Sequence, residues 1–177
     1  MMDAVVVYES AWGNTQAVAE AVAEGLSRHL MVKLMEVTDA PPVDSLDVAL
    51  LVLGGPTHAF GMSRPQTRAD AAQRGGRVGG IGMREWIEGA DGGVQLPVAT
   101  FDTHVRHPNL PGAASKKAAK ALRRAGCTLV AKPESFYVEG REGPLLPGEL
   151  DRARVWGEHL ADEVLRGRRG GVAGVGG

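Results

Sequence analysis

Val6-Val7-Tyr8-Glu9-Ser10-Ala11-Trp12-Gly13-Asn14-Thr15-Gln16-Ala17-Val18-Ala19-Glu20-Ala21-Val22 runs from a strand through a polar loop into a helix. The aliphatic run, which reaches back to Ala4, shows no polar alternation and is too short for a helix, as expected of a central strand covered on both faces. From Asn14 onward Val18, Val22 and Leu26 recur four apart while Gln16, Glu20, Glu24 and Arg28 keep the opposite face polar, which predicts a helix over 14–29. Between them Ser10 to Thr15 hold two hydroxyls, an amide and a glycine. Such a loop turns unpaired N–H groups and the positive end of a helix dipole toward an anion, and Gly13 lets the backbone approach it. The loop has no lysine, which excludes a Walker-type phosphate site, and it lacks the glycine spacing of dinucleotide folds. The other reading is an ordinary helix cap on Asn14 or Thr15.

Outward from this stretch, apolar runs at 31–37, 48–53, 96–101 and 127–131 read as four further strands, the first of them interrupted by charges like an edge strand. Helices are predicted over 83–88, 113–125 and 149–165, the middle one closed by Gly126. This alternation is that of an α/β, doubly wound, three-layer sandwich around a five-stranded parallel sheet. The domain is expected to span 1–166, with a flexible Gly-rich tail over 167–177. Gln73 to Gly82 reads as a flexible loop, because glycine costs about 1 kcal/mol per residue inside a helix. Phe136-Tyr137-Val138 reads as an extension of the fifth strand, and no chemistry is assigned to Glu134–Gly148.

At 177 residues the chain makes about one domain. With 44% apolar and 23% charged residues it excludes wholesale disorder and collagen-like or coiled-coil architecture. Twenty basic against 21 acidic residues leave a net charge of −1, so nothing global attracts nucleic acid or an anionic membrane, and neither is an expected partner. The longest apolar run falls far short of the ~20 residues needed to cross a bilayer. The first residues lack the features of a signal peptide, and Cys127 is the only cysteine; together these predict a cytoplasmic protein.

In open α/β sheets ligands sit beyond the carboxyl ends of the strands. Three loops qualify: Glu9–Thr15, Gly54–Arg64 and Asp102–Asn109. A hydrolase reading, with Ser10 as nucleophile and His58 or His104 as base, lacks the Gly-x-Ser-x-Gly elbow.

The opening stretch resembles the flavodoxin N-terminal signature: aliphatic, aliphatic, aromatic, free, Ser/Thr, two free, small, free, Thr, three free, Ala, two free, aliphatic. Every fixed position agrees. The resemblance implies a flavodoxin-like fold with strand order 2-1-3-4-5 and an FMN site. Its phosphate would lie on Ser10, Ala11, Trp12, Gly13, Asn14 and Thr15. In the second loop Gly54 and Gly55 would leave room for a flat ligand, Pro56 would stiffen the turn, Thr57 would reach the ligand's chain, and His58 or Phe60, with Gly61, would border the ring. Asp102, Thr103 and His104 match by position the loop that closes over the pyrimidine edge. The resemblance implies an electron carrier exchanging single electrons with a redox partner protein. Two alternatives stand beside it: an FMN-dependent NAD(P)H:quinone oxidoreductase, for which the long Gln66–Gly89 segment would be an addition, and a cofactor-less interaction module. Oligomeric state is left open. Flavodoxins are typically acidic, whereas this chain is nearly neutral with a locally basic rim.

Overall fold

The computed structural model describes residues 3–58, 61–106 and 111–172. In chain order it contains β1 (Ala4–Tyr8), α1 (Asn14–Leu26), β2 (Val32–Glu36), β3 (Leu50–Pro56), α2 (Pro65–Gln73), α3 (Met83–Glu88), β4 (Pro97–Val105), α4 (Ala114–Arg124), β5 (Thr128–Leu129), β6 (Glu134–Val138) and α5 (Glu149–Val172). All strand pairings are parallel in the order β2-β1-β3-β4-β5, as the doubly wound reading requires.

The continuous apolar strands sort their side chains by pleat, since successive residues point to opposite faces. Ala4, Val6, Leu50, Val52, Ala99 and Phe101 join the core beneath α1 and α5. Val5, Val7, Leu51, Leu53 and Val98 join the core beneath α3 and α4. Two helix glycines explain how closely α1 and α5 pack. A Cβ on Gly25 would stand 2.1 Å from the Arg154 carbonyl oxygen, and one on Gly157 would stand 2.3 Å from that of Val22. Backbone meets backbone at both points, which offsets the helix cost of glycine.

The fifth strand is split. β5 pairs with Pro97–Val98 of β4, and β6 pairs with Phe101–Val105 further along the same edge. Pro133 lies in the break and has no N–H for a ladder. Phe136 of β6 stands edge-on to Phe101 at 6.1 Å and to Trp156 of α5 at 5.9 Å, a geometry worth about 0.5–1.5 kcal/mol per aromatic pair beyond burial.

Helix α5 continues to Val172, past the Leu165 end that its apolar period predicts. Arg168 in its last turns pairs with Asp3 at 2.9 Å, holding this Gly- and Arg-rich stretch against the start of β1. Helix α2 appears where none was predicted. Pro65 opens it with a preset φ, and Thr67 closes a local ring with Arg64, accepting its N–H at 2.9 Å and donating to its carbonyl at 3.0 Å. Among the described residues no helix is long and apolar enough to cross a membrane.

Candidate functional site

The site is built at the carboxyl ends of β1, β3 and β4. Gly13 precedes α1 in the left-handed region at φ +88°, a conformation that side chains rarely adopt, although a Cβ there would touch nothing within 4 Å. The Ser10 hydroxyl accepts the Gly13 N–H at 3.1 Å and fixes the turn. Neither expected capping side chain caps the helix. Asn14 Nδ2 donates instead to the Glu142 carbonyl at 3.0 Å, and Thr15 Oγ1 meets Thr103 Oγ1 at 2.7 Å. The N–H groups of Trp12, Asn14, Thr15 and Gln16 are therefore left without a partner among the described residues.

The second loop differs from its sequence reading in one respect. Gly54 and Gly55 make room for the core and not for a ligand: a Cβ on Gly54 would lie 2.0 Å from the Phe101 ring, and one on Gly55 would lie 2.3 Å from Met83 Sδ. Thr57 Oγ1 accepts the Ala114 N–H at 2.9 Å, so it anchors the start of α4 and keeps its own hydrogen to donate outward. His58 and Gly61 exchange both backbone hydrogen bonds, at 2.8 and 3.0 Å. Burial holds the His58 imidazole below its ordinary pKa, with the charges of Arg141 and Arg68 acting in the same direction, which favours its neutral form. Phe60 lies outside the described residues.

In the third loop Asp102 is fully buried and committed to protein contacts. One carboxylate oxygen is 2.7 Å from His104 Nδ1, and the other accepts the Ser115 N–H at 2.8 Å. Asp102 thus holds His104 in place and does not itself line the cavity. His104 also stands edge-on to Tyr137 at 5.2 Å, and its Nε2 has no hydrogen-bond partner among the described residues.

Beneath the first loop lies a buried polar set that the sequence did not reveal. Glu9 accepts from the Ser63 hydroxyl and, at 3.0 Å, from the Met83 N–H; Arg68 donates to Ser63 at 2.8 Å and pairs with Glu85. Burial pushes the Glu9 carboxyl up, against the lowering effect of these donors and of Arg68. Gly82 is required here, because a Cβ would lie 2.6 Å from both Glu9 Oε1 and Ser63 Oγ. The glycine-rich 73–82 segment is accordingly seated: Arg77 N–H donates to the Ala11 carbonyl at 2.8 Å, and a Cβ on Gly76 would stand 3.2 Å from the Trp12 indole.

These elements enclose a cavity of about 540 Å³, within the range of small-molecule sites. Of the residues expected from sequence, Ser10, Ala11, Trp12, Asn14, Thr15, Pro56, Thr57, His58, Thr103 and His104 line it. Gly13, Gly61 and Asp102 are not among the lining residues. Sequence reasoning missed Thr67, Asp70, Ala71 and Arg74 from α2 and the adjoining turn, and Arg141 from the loop after β6. Nothing in the periodicity marks them, since they reach the cavity only through tertiary packing. The lining fits FMN on its own chemistry: unpartnered helix-terminal amides suit a phosphate, hydroxyls suit a polyol chain, and Pro56, His58 and His104 offer flat walls for a ring.

A flavodoxin family model matches residues 6–76. Solved structures with similar folds include a flavodoxin from the domain Archaea, at 23% identity over 92% of this chain and 99% of that one with a TM-score of 0.64. Oxidised flavodoxin 1 from Bacillus cereus matches at 16% identity over 93% and 97%, with a TM-score of 0.65. A WrbA-like flavodoxin from Agrobacterium tumefaciens matches at 21% identity over 94% and 99%, with a TM-score of 0.55. No curated protein matches the chain significantly.

Proposed function

We propose, from the match of a flavodoxin family model to residues 6–76, that this chain is a flavodoxin-family protein that binds FMN in the cavity and carries single electrons between protein partners. One observation carries this reading: unpartnered amides, the Thr15–Thr103 hydroxyl pair, His58 and His104 converge on one cavity of suitable size. FMN would supply the redox chemistry, and the chain would set its environment. The N-terminus of α1 would bind the phosphate through backbone N–H groups and the helix dipole. The Thr15–Thr103 pair shares one hydrogen bond and so retains one hydroxyl hydrogen to donate. Asp102 occupies Nδ1 of His104, so only Nε2 is left to meet the ring edge. Neutral His58 adds a wall without adding charge. Its partners would be redox proteins, and its expected compartment is the cytoplasm.

The wall formed by Thr67, Asp70, Ala71 and Arg74 favours the second reading, an NAD(P)H:quinone oxidoreductase, because that reading needs an added segment bordering the site. Stopped-flow mixing of the oxidised holoprotein with NADPH and then a benzoquinone separates the two. A carrier turns over well below ~1 s⁻¹, the low end of ordinary enzyme rates, and an enzyme exceeds it.

A further inference from the structure

The loop at the start of α1 has no basic residue, yet two segments from outside it are fastened to it, and each brings one arginine to the cavity. On one side Arg77 N–H bonds the Ala11 carbonyl at 2.8 Å and Gly76 lies against Trp12, which places the turn after α2 beside the loop; Arg74 of that turn lines the cavity. On the other side Asn14 Nδ2 bonds the Glu142 carbonyl at 3.0 Å, and Gly143 abuts Asn14 so closely that a Cβ would stand 2.7 Å from Asn14 Oδ1; Arg141 of this loop lines the same cavity. Neither arginine is in an ion pair among the described residues. The acidic groups nearest in the chain are Asp70, which also lines the cavity, and Glu142, which engages the loop through its backbone.

We propose that Arg74 and Arg141 form a two-sided clamp on the phosphate end of the ligand, so that this chain selects phosphorylated over unphosphorylated flavin by charge as well as by amide hydrogen bonds. The inference deepens the FMN reading and rests on it for the ligand's identity. Guanidinium donors bind phosphate oxygens in charge-assisted, often bidentate pairs. Since both arginines are exposed when nothing is bound, the clamp also makes binding salt-dependent.

The test titrates apoprotein with FMN and with riboflavin at low and high salt, for wild type, Arg74→Gln, Arg141→Gln and the double variant. Inorganic phosphate alone is followed in parallel through the amide resonances of residues 11–16. Each single substitution should weaken FMN by about tenfold, the loss expected for one charge-assisted bond, with a greater loss in the double variant and a flatter salt dependence. Riboflavin should change by less than about twofold, and Arg141→Lys should recover part of the loss by restoring the charge. Unchanged FMN affinity in the double variant would overturn the clamp while leaving the FMN reading standing. Equal losses for FMN and riboflavin would also overturn it, because the arginines would then only shape the cavity. If wild type binds no FMN, the FMN reading fails and the phosphate arm decides: shifts at residues 11–16 that vanish in the double variant support the clamp, and shifts that persist or never appear refute it.

Discussion

Thr15 Oγ1 and Thr103 Oγ1 lie 2.7 Å apart in a buried contact that joins the first residues of α1 to the end of β4. Each hydroxyl is the other's partner, so removing one orphans a buried polar group at a cost of about 1–3 kcal/mol, whereas removing both leaves nothing unsatisfied. Thr15→Val and Thr103→Val should each lower the unfolding free energy of the apoprotein, and the double variant should lose less than the sum. Urea unfolding of the four proteins measures this directly; additive losses would show that the contact carries no coupling.

Asp102→Ala should destabilise the fold by about 1–3 kcal/mol for each buried group it leaves unsatisfied, because it strands His104 Nδ1 and the Ser115 N–H together. The loss should be present without flavin, since the carboxylate faces protein. An apoprotein melting temperature unchanged by the substitution would return Asp102 to a ligand-binding role.

Much of this architecture was legible from the sequence, and the exceptions share a cause. The Ala4–Tyr8 and Leu50–Leu53 runs announce buried central strands because both faces are apolar, and α1 and α3 begin where their patterns place them. Helix α2 escaped because its inward face holds Ala71 and Arg68, and an arginine buried by Glu85 and Ser63 reads as a solvated residue in any apolar count. Gly54 and Gly55 read in the sequence as room for a ligand, because glycine signals close approach without saying what approaches; here it is Phe101 and Met83. The first loop was readable because its chemistry is local. Arg74 and Arg141 were not, because each reaches the cavity through contacts distant in sequence.

The glycines of the 73–82 segment offer a direct comparison. Gly82→Ala should destabilise the fold by about 1–3 kcal/mol, since the methyl group would press on Glu9, Ser63 and Arg68. Gly80→Ala should be neutral or slightly stabilising, because nothing lies within 4 Å of the added carbon. Thermal melts of the two variants decide it; similar losses would mean that the segment's glycines matter only as flexible links.

Burial holds His58 below its ordinary pKa of 6.5, so as pH falls the unfolded chain takes up this proton before the folded one. The stability linked to neutral His58 is complete above the unfolded value and is lost as pH falls through the folded value. Glu9, raised by burial, has the opposite sign over its own range and must be separated from it. Wild type should therefore lose stability relative to His58→Gln between about pH 7.5 and 5. Parallel pH dependences in urea unfolding would show that His58 titrates alike in both states.

The most direct test that FMN occupies the cavity is to unfold the chain, refold it with excess FMN and pass it through gel filtration. The predicted result is one FMN per chain, with a flavin band near ~450 nm, a wavelength set by the cofactor itself, co-eluting with the protein, while FAD in a parallel experiment is not retained. Elution of folded protein with no bound flavin would contradict the account.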